Sequence, residues 1–173
     1  MKTKFFLLTA FFFAAIITTQ AQSIDEIVKE WERAKAYTKE YLDAMPEAGY
    51  SLKPTPEMRS FADQMLHITD GDYAFIGAAT GVAPTVKEIE KSTTDKSKAN
   101  VTKVVMDGYD FVISSIKKMN PASLTEKVKV FGQFEMTRKV AIEKAFEHQT
   151  HHRGQTTVYI RLAKGTPPQE KLF

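Results

Sequence analysis

The chain has 173 residues, 43% hydrophobic and 26% charged, which fits one globular domain and excludes an intrinsically disordered chain. It has no cysteine, so disulfides, thiolate metal sites, lipid-modified cysteine and cysteine nucleophiles are excluded, and any metal must take nitrogen or oxygen ligands. The net charge of +3 comes without a dense basic face, which argues against binding a nucleic-acid backbone.

The N-terminus carries a basic start at Lys2 and Lys4, an apolar run from Phe5 to Ile17, and small residues at Thr19-Gln20-Ala21. That order is the pattern of a secretory signal peptide over residues 1–21, and the run is shorter than the ~20 residues a spanning helix needs. The expectation is a cleaved signal, a mature domain over residues 22–173 in the periplasm or outside the cell, and no membrane anchor after cleavage. Without Lys2 and Lys4 the mature domain is nearly neutral.

Ser23 followed by Glu26 reads as a capping box, and Ile24, Ile27, Val28, Trp31, Ala34, Tyr41, Leu42 and Met45 recur at helical spacing behind it. A first helix is therefore predicted up to about Met45, before Pro46. Thr55 as cap and Pro56 at the first helical position predict a second helix, to about Ala79, with Gly81 and Pro84 ending it. Residues 85–99 are crowded with charged and hydroxyl side chains and read as a solvated linker with one helical turn.

Val101, Val104, Val105, Phe111, Val112, Ile116 and Met119 mark a third helix, which stops before Asn120-Pro121. Residues 124–134 mix Val128, Val130 and Phe131 with lysines and a glycine, the pattern of a short hairpin-like excursion. A fourth helix is predicted from Thr137 to about Ala163, stopped by Gly165 and Pro167-Pro168. Four amphipathic helices and no internal repeat predict an all-α four-helix bundle.

Three of the four histidines lie in the run His148-Gln149-Thr150-His151-His152 of the predicted last helix. Residues four apart share a helix face, so His148 and His152 can aim at one point while His151 diverges. The same spacing also suits a polar face meeting solvent, and spacing alone does not separate the two readings. The pattern is that of a zinc peptidase, but Gln149 stands where the general-base carboxylate belongs, so the peptidase reading fails.

His67 lies midway along the second helix, opposite the stripe of Met58, Phe61, Met65, Ile68 and Ile76, on a face with Ser60, Asp63, Gly71, Ala74 and Ala78. Small residues there, and Ala141 and Ala145 beside His148, suit either a cavity or close helix packing.

The segments Pro54 to Phe61, Met65-Leu66-His67-Ile68, the run His148 to Gln155, Tyr159-Ile160-Arg161-Leu162 and Pro167-Pro168 together resemble the DinB/YfiT-like family over essentially the whole mature chain. The resemblance implies a four-helix bundle, often a homodimer, with a metal held by one histidine of the second helix and two of the last. By position these are His67, His148 and His152. Family members include metal-dependent thiol transferases and isomerases alongside many without a known reaction, so the resemblance implies a site and not a substrate.

Three imidazoles leave a coordination position open, as in catalytic centres, and suit zinc, nickel, copper or iron, with zinc or nickel expected. No catalytic residue is assigned. Asp63 and Asp70 are candidates to orient His67, and Gln155 and Tyr159 to meet a substrate. The expected activity is a metal-dependent hydrolase or transferase acting on a small molecule; the alternative is a non-catalytic exported metal-binding or stress-related protein. Metal affinity is expected to fall as pH drops through the imidazole range near ~6.5.

Overall fold

The computed structural model describes residues 23–172; the signal-peptide segment 1–21 lies outside them. Helix α1 spans Ile24–Ala44 and opens with the capping box, the Ser23 side chain accepting from Glu26 N while Glu26 Oε2 accepts from Ser23 N at 2.8 Å. Its inward face carries Trp31, which is fully buried and meets the Phe146 ring edge-on at 5.3 Å.

Helix α2 spans Phe61–Thr80 and begins later than the Thr55-Pro56 signal predicts. Residues 55–60 form turns instead, because the first amides of α2 are used by the incoming loop: Phe61 N donates to Leu52 O and Ala62 N to Tyr50 O, at 3.0 and 2.9 Å. Ser60 supplies the cap, accepting from Asp63 N at 3.1 Å, and Met58 of the predicted apolar stripe is left partly exposed in the turn. Gly81, at φ +77°, ends the helix in the left-handed conformation.

The polar segment that follows contains the expected single turn, α3 (Ile89–Ser92), pinned to α2 by the Asp70 carboxylate, which accepts from Ile89 N and Glu90 N at 2.6 and 2.9 Å. Helix α4 spans Lys98–Lys117. The excursion after it is a hairpin, β1 (Lys127–Val130) paired antiparallel with β2 (Phe134–Thr137), running three residues past the expected limit at Phe134. Phe131 and Gly132, at φ 52° and 73°, make its tight turn, and the Phe131 ring lies on Phe75 at 5.2 Å.

Helix α5, Arg138–Leu162, is capped by the Thr137 side chain. Helix α2 packs most extensively on α5 and next on α4, while α1 covers α4 and α5, giving an all-α bundle with one small hairpin at its end. Among the described residues no helix is long and apolar enough to cross a membrane.

Two polar features lie inside this apolar core. Tyr109 donates to Gln149 Oε1 at 2.9 Å and contacts Thr38 Oγ1 at 2.7 Å, while the buried Arg153 donates to Gln149 Oε1 at 3.0 Å and sits 4.5 Å over the Tyr37 ring. Gln149 thus ties α5 to α4 and faces away from the histidines that flank it. The second feature is Asp72, 1% exposed, with neither carboxylate oxygen hydrogen-bonded.

Candidate metal centre

The α2–α5 interface brings His67, His148 and His152 together, with one ring nitrogen from each inside a group no wider than 4.8 Å. The ring centroids of His67 lie 5.1 Å from His148 and 4.6 Å from His152, and those of His148 and His152 are 4.4 Å apart. His151 points outward, as its position on the helix requires, and is exposed.

Small residues allow this approach. Ala141 and Ala145 are fully buried on α5, and the backbone of Gly71 on α2 faces the His148 ring. A Cβ at Gly71 would stand 2.2 Å from His148 Cε1 and 2.4 Å from Nδ1, so only glycine leaves the space that the imidazole fills.

The free nitrogens fit a metal ion. His67 Nε2 and His148 Nε2 face each other at 3.4 Å, which is long for a hydrogen bond. It matches the edge of about 3.3 Å expected for a tetrahedron with metal–nitrogen distances of about 2.0–2.1 Å. The remaining nitrogens of His67 and His152 are held from behind. His67 Nδ1 lies 3.3 Å from Glu90 Oε2, and Glu90 Oε1 accepts from Arg59 Nε at 2.9 Å. His152 Nδ1 lies 2.8 Å from the Gln64 amide, which also bonds Gln155, and Gln155 reaches His151 Nε2 at 2.9 Å.

Ligation through His152 Nε2 requires a proton on Nδ1, and therefore the amide oxygen of Gln64 against it. Turning over both amides meets this requirement and keeps every bond: His151 donates to Gln155, and Gln155 and His152 both donate to Gln64. His148 Nδ1, against Gly71, is buried without a partner.

Burial keeps these rings neutral. It pushes His148 down to about 4 and His152 down to about 3, helped in each case by the neighbouring imidazoles, and it lowers His67 as well, with the Arg59 charge acting in the same direction. Neutral imidazole is the form that ligates.

The residues expected to support the site divide differently in the structure. Asp63 accepts from Ser60 Oγ at 2.6 Å and pairs with Lys96 at 3.0 Å, and Asp70 caps α3, so neither bonds His67. The carboxylate at His67 is Glu90, from the segment read as a linker. Tyr159 is buried and donates to Arg59 O at 3.1 Å, which makes it a brace for the loop before α2. Gln155 does lie at the site, through Gln64, which sequence reasoning missed.

Beside the histidines lies a polar cleft of about 440 Å³, walled by Arg59, Gln64, Glu90 and Gln155. An apolar groove of about 430 Å³ over Ile27, Trp31, Ile142 and Phe146 lies against the opposite face of α5 and includes none of the site residues.

The family model described as DinB family matches residues 18–171, and the chain belongs to that family. Among solved structures it is similar to a DinB-like protein from Bacillus cereus ATCC 10987, at 24% identity and a TM-score of 0.71, covering 87% of this chain and 99% of that one. A DinB-like protein from Bacillus subtilis is similar at 19% identity and a TM-score of 0.68, covering 84% of this chain and 96% of the other. At these identities the likeness establishes the fold. No curated protein matches.

Proposed function

We propose that this chain is an exported metal-dependent hydrolase or transferase, in which His67, His148 and His152 hold one divalent transition metal ion, zinc or nickel, for reaction with a small molecule. The observation that carries the reading is the convergence of three neutral imidazoles whose remaining side adjoins a polar cleft. A closed structural site takes four protein ligands, whereas three leave a position for a reactant. When bound, such an ion supplies Lewis acidity, polarising a substrate oxygen or making water acidic.

The chain's own residues do the rest. Glu90 and Gln64 orient two ligands, Gly71 and the buried alanines admit the third, and the apolar core behind them keeps the rings unprotonated. A non-catalytic metal carrier would need the same three ligands but no cleft beside them.

Elemental analysis of the purified protein is expected to give one metal ion per chain, lost in His67→Ala, His148→Ala and His152→Ala and kept in His151→Ala. Full retention in His67→Ala would overturn the ligand set. Turnover of a member of a broad ester, amide and thiol panel, abolished by chelation, is the expected sign of the enzyme; metal binding without any turnover favours the carrier. The export part of the proposal rests on the N-terminal pattern, and N-terminal sequencing of the mature protein should begin near Gln22.

A further inference from the structure

We propose that Arg59 anchors the carboxylate of a small organic anion in the polar cleft, with the anion's other end at the metal. This names the substrate class of the same centre and rests on the reading of that centre as an open metal site.

Arg59 is fixed at two points. Its carbonyl accepts from the buried Tyr159 hydroxyl at 3.1 Å, and its Nε donates to Glu90 Oε1 at 2.9 Å. Among the described residues nothing engages its Nη edge, which leaves the two-pronged donor face that a carboxylate accepts. A guanidinium held at both backbone and Nε has little freedom left to lose on binding, which is the condition for preorganised recognition.

Its position suits a molecule that also touches the centre. The cleft is walled by Gln64, which bonds His152, by Glu90, which faces His67, and by Gln155. Arg59 is also close enough for its charge to act on all three imidazoles.

The charges favour an anion. Neutral imidazoles leave an ion's charge uncompensated, Arg59 adds another positive charge, and Glu90 has both oxygens committed, one to Arg59 and one to His67. Glu57 is the other acidic wall residue and is exposed to solvent.

The test uses the cobalt-substituted protein, whose visible spectrum reports a thiol entering the open position, titrated with mercaptobutyrate, its methyl ester and mercaptobutanol. Mercaptobutyrate is expected to bind about tenfold tighter than either neutral thiol, the size of one charge-assisted pair. In Arg59→Gln that preference should vanish while mercaptobutanol binds within about twofold of the parent, and Arg59→Lys should restore part of it.

Equal binding of mercaptobutyrate and its ester to the parent protein overturns the proposal whether or not the variants fold. So does a preference that survives in Arg59→Gln, which would mean that the metal chelates the carboxylate itself. If no thiol perturbs the spectrum, the open-site reading fails, and the anion proposal falls with it.

Discussion

The His148 imidazole occupies the space that a Cβ at Gly71 would take, 2.2 Å from its Cε1. Gly71→Ala must therefore turn that ring away or separate two packed helices. The expected outcome is loss of stoichiometric metal with the helical circular dichroism retained and a stability cost of about 1–3 kcal/mol, the usual range for overpacking. Metal bound at parent affinity in this variant would contradict the geometry.

Removing the groups behind the ligands should weaken metal binding without abolishing it. Gln64→Leu and Glu90→Leu are each expected to raise the zinc dissociation constant about 10- to 100-fold, the range for loss of a ligand-orienting hydrogen bond. Competition with a chromogenic chelator measures it. Asp63→Asn, which touches Ser60 and Lys96 instead, should change the constant little.

In the metal-free protein, His148 and His152 stay neutral to about pH 4 and 3, while in the unfolded chain they titrate near 6.5. A base whose folded pKa is depressed contributes stability that is complete above the unfolded value and is lost as pH falls toward the folded one. The melting temperature should accordingly fall between pH 6.5 and about 4, and His148→Gln and His152→Gln should each flatten that slope. Protons then compete with the metal only well below the 6.5 that unperturbed histidines imply, so a release midpoint at 6.5 would contradict this account.

Asp72 has the opposite sign. Burial without any partner holds its carboxyl well above the usual range, so its contribution is complete at acid pH and declines as pH rises through the raised value. Asp72→Asn cannot ionise, and its melting temperature should exceed the parent's by a margin that widens from pH 6 to pH 9. A margin that shrinks with rising pH would show that Asp72 is ionised and paired in solution.

Truncation after Thr166 removes two links to α1, the bond from Arg33 Nη1 to Lys171 O at 2.9 Å and the Lys171–Glu40 ion pair. Both are surface interactions, worth roughly 0–1 kcal/mol each. Thermal melting should shift by only a few degrees, since Gly165 N, which donates to Ile160 O at 2.8 Å, still closes α5.

The helix order and the His148/His152 pair were readable because both depend on local periodicity and on glycine and proline punctuation. The start of α2 was not. Thr55-Pro56 and Ser60 are both adequate caps, and the choice was made by the carbonyls of Tyr50 and Leu52, which a linear reading does not place.

Glu90 escaped notice for a related reason. Nothing in its polar neighbourhood marks it, and it reaches His67 only because Asp70 folds α3 back onto α2. Gln64 looks like any mid-helix amide until α5 is packed beside it. Asp63 and Asp70 had the right sequence spacing from His67, but Lys96 and the α3 amides claim them.

His67 and His148, whose Nε2 atoms lie 3.4 Å apart, are separated by 81 positions along the chain. The centre therefore cannot exist in a partly folded chain that has not yet docked its last helix, and an ion can have little role in starting the collapse. Its effect should come afterwards, as a clasp between α2 and α5 that slows their separation. Added metal should leave the refolding rate nearly constant, lengthen the unfolding time, and deepen amide protection along those two helices before any other part of the bundle.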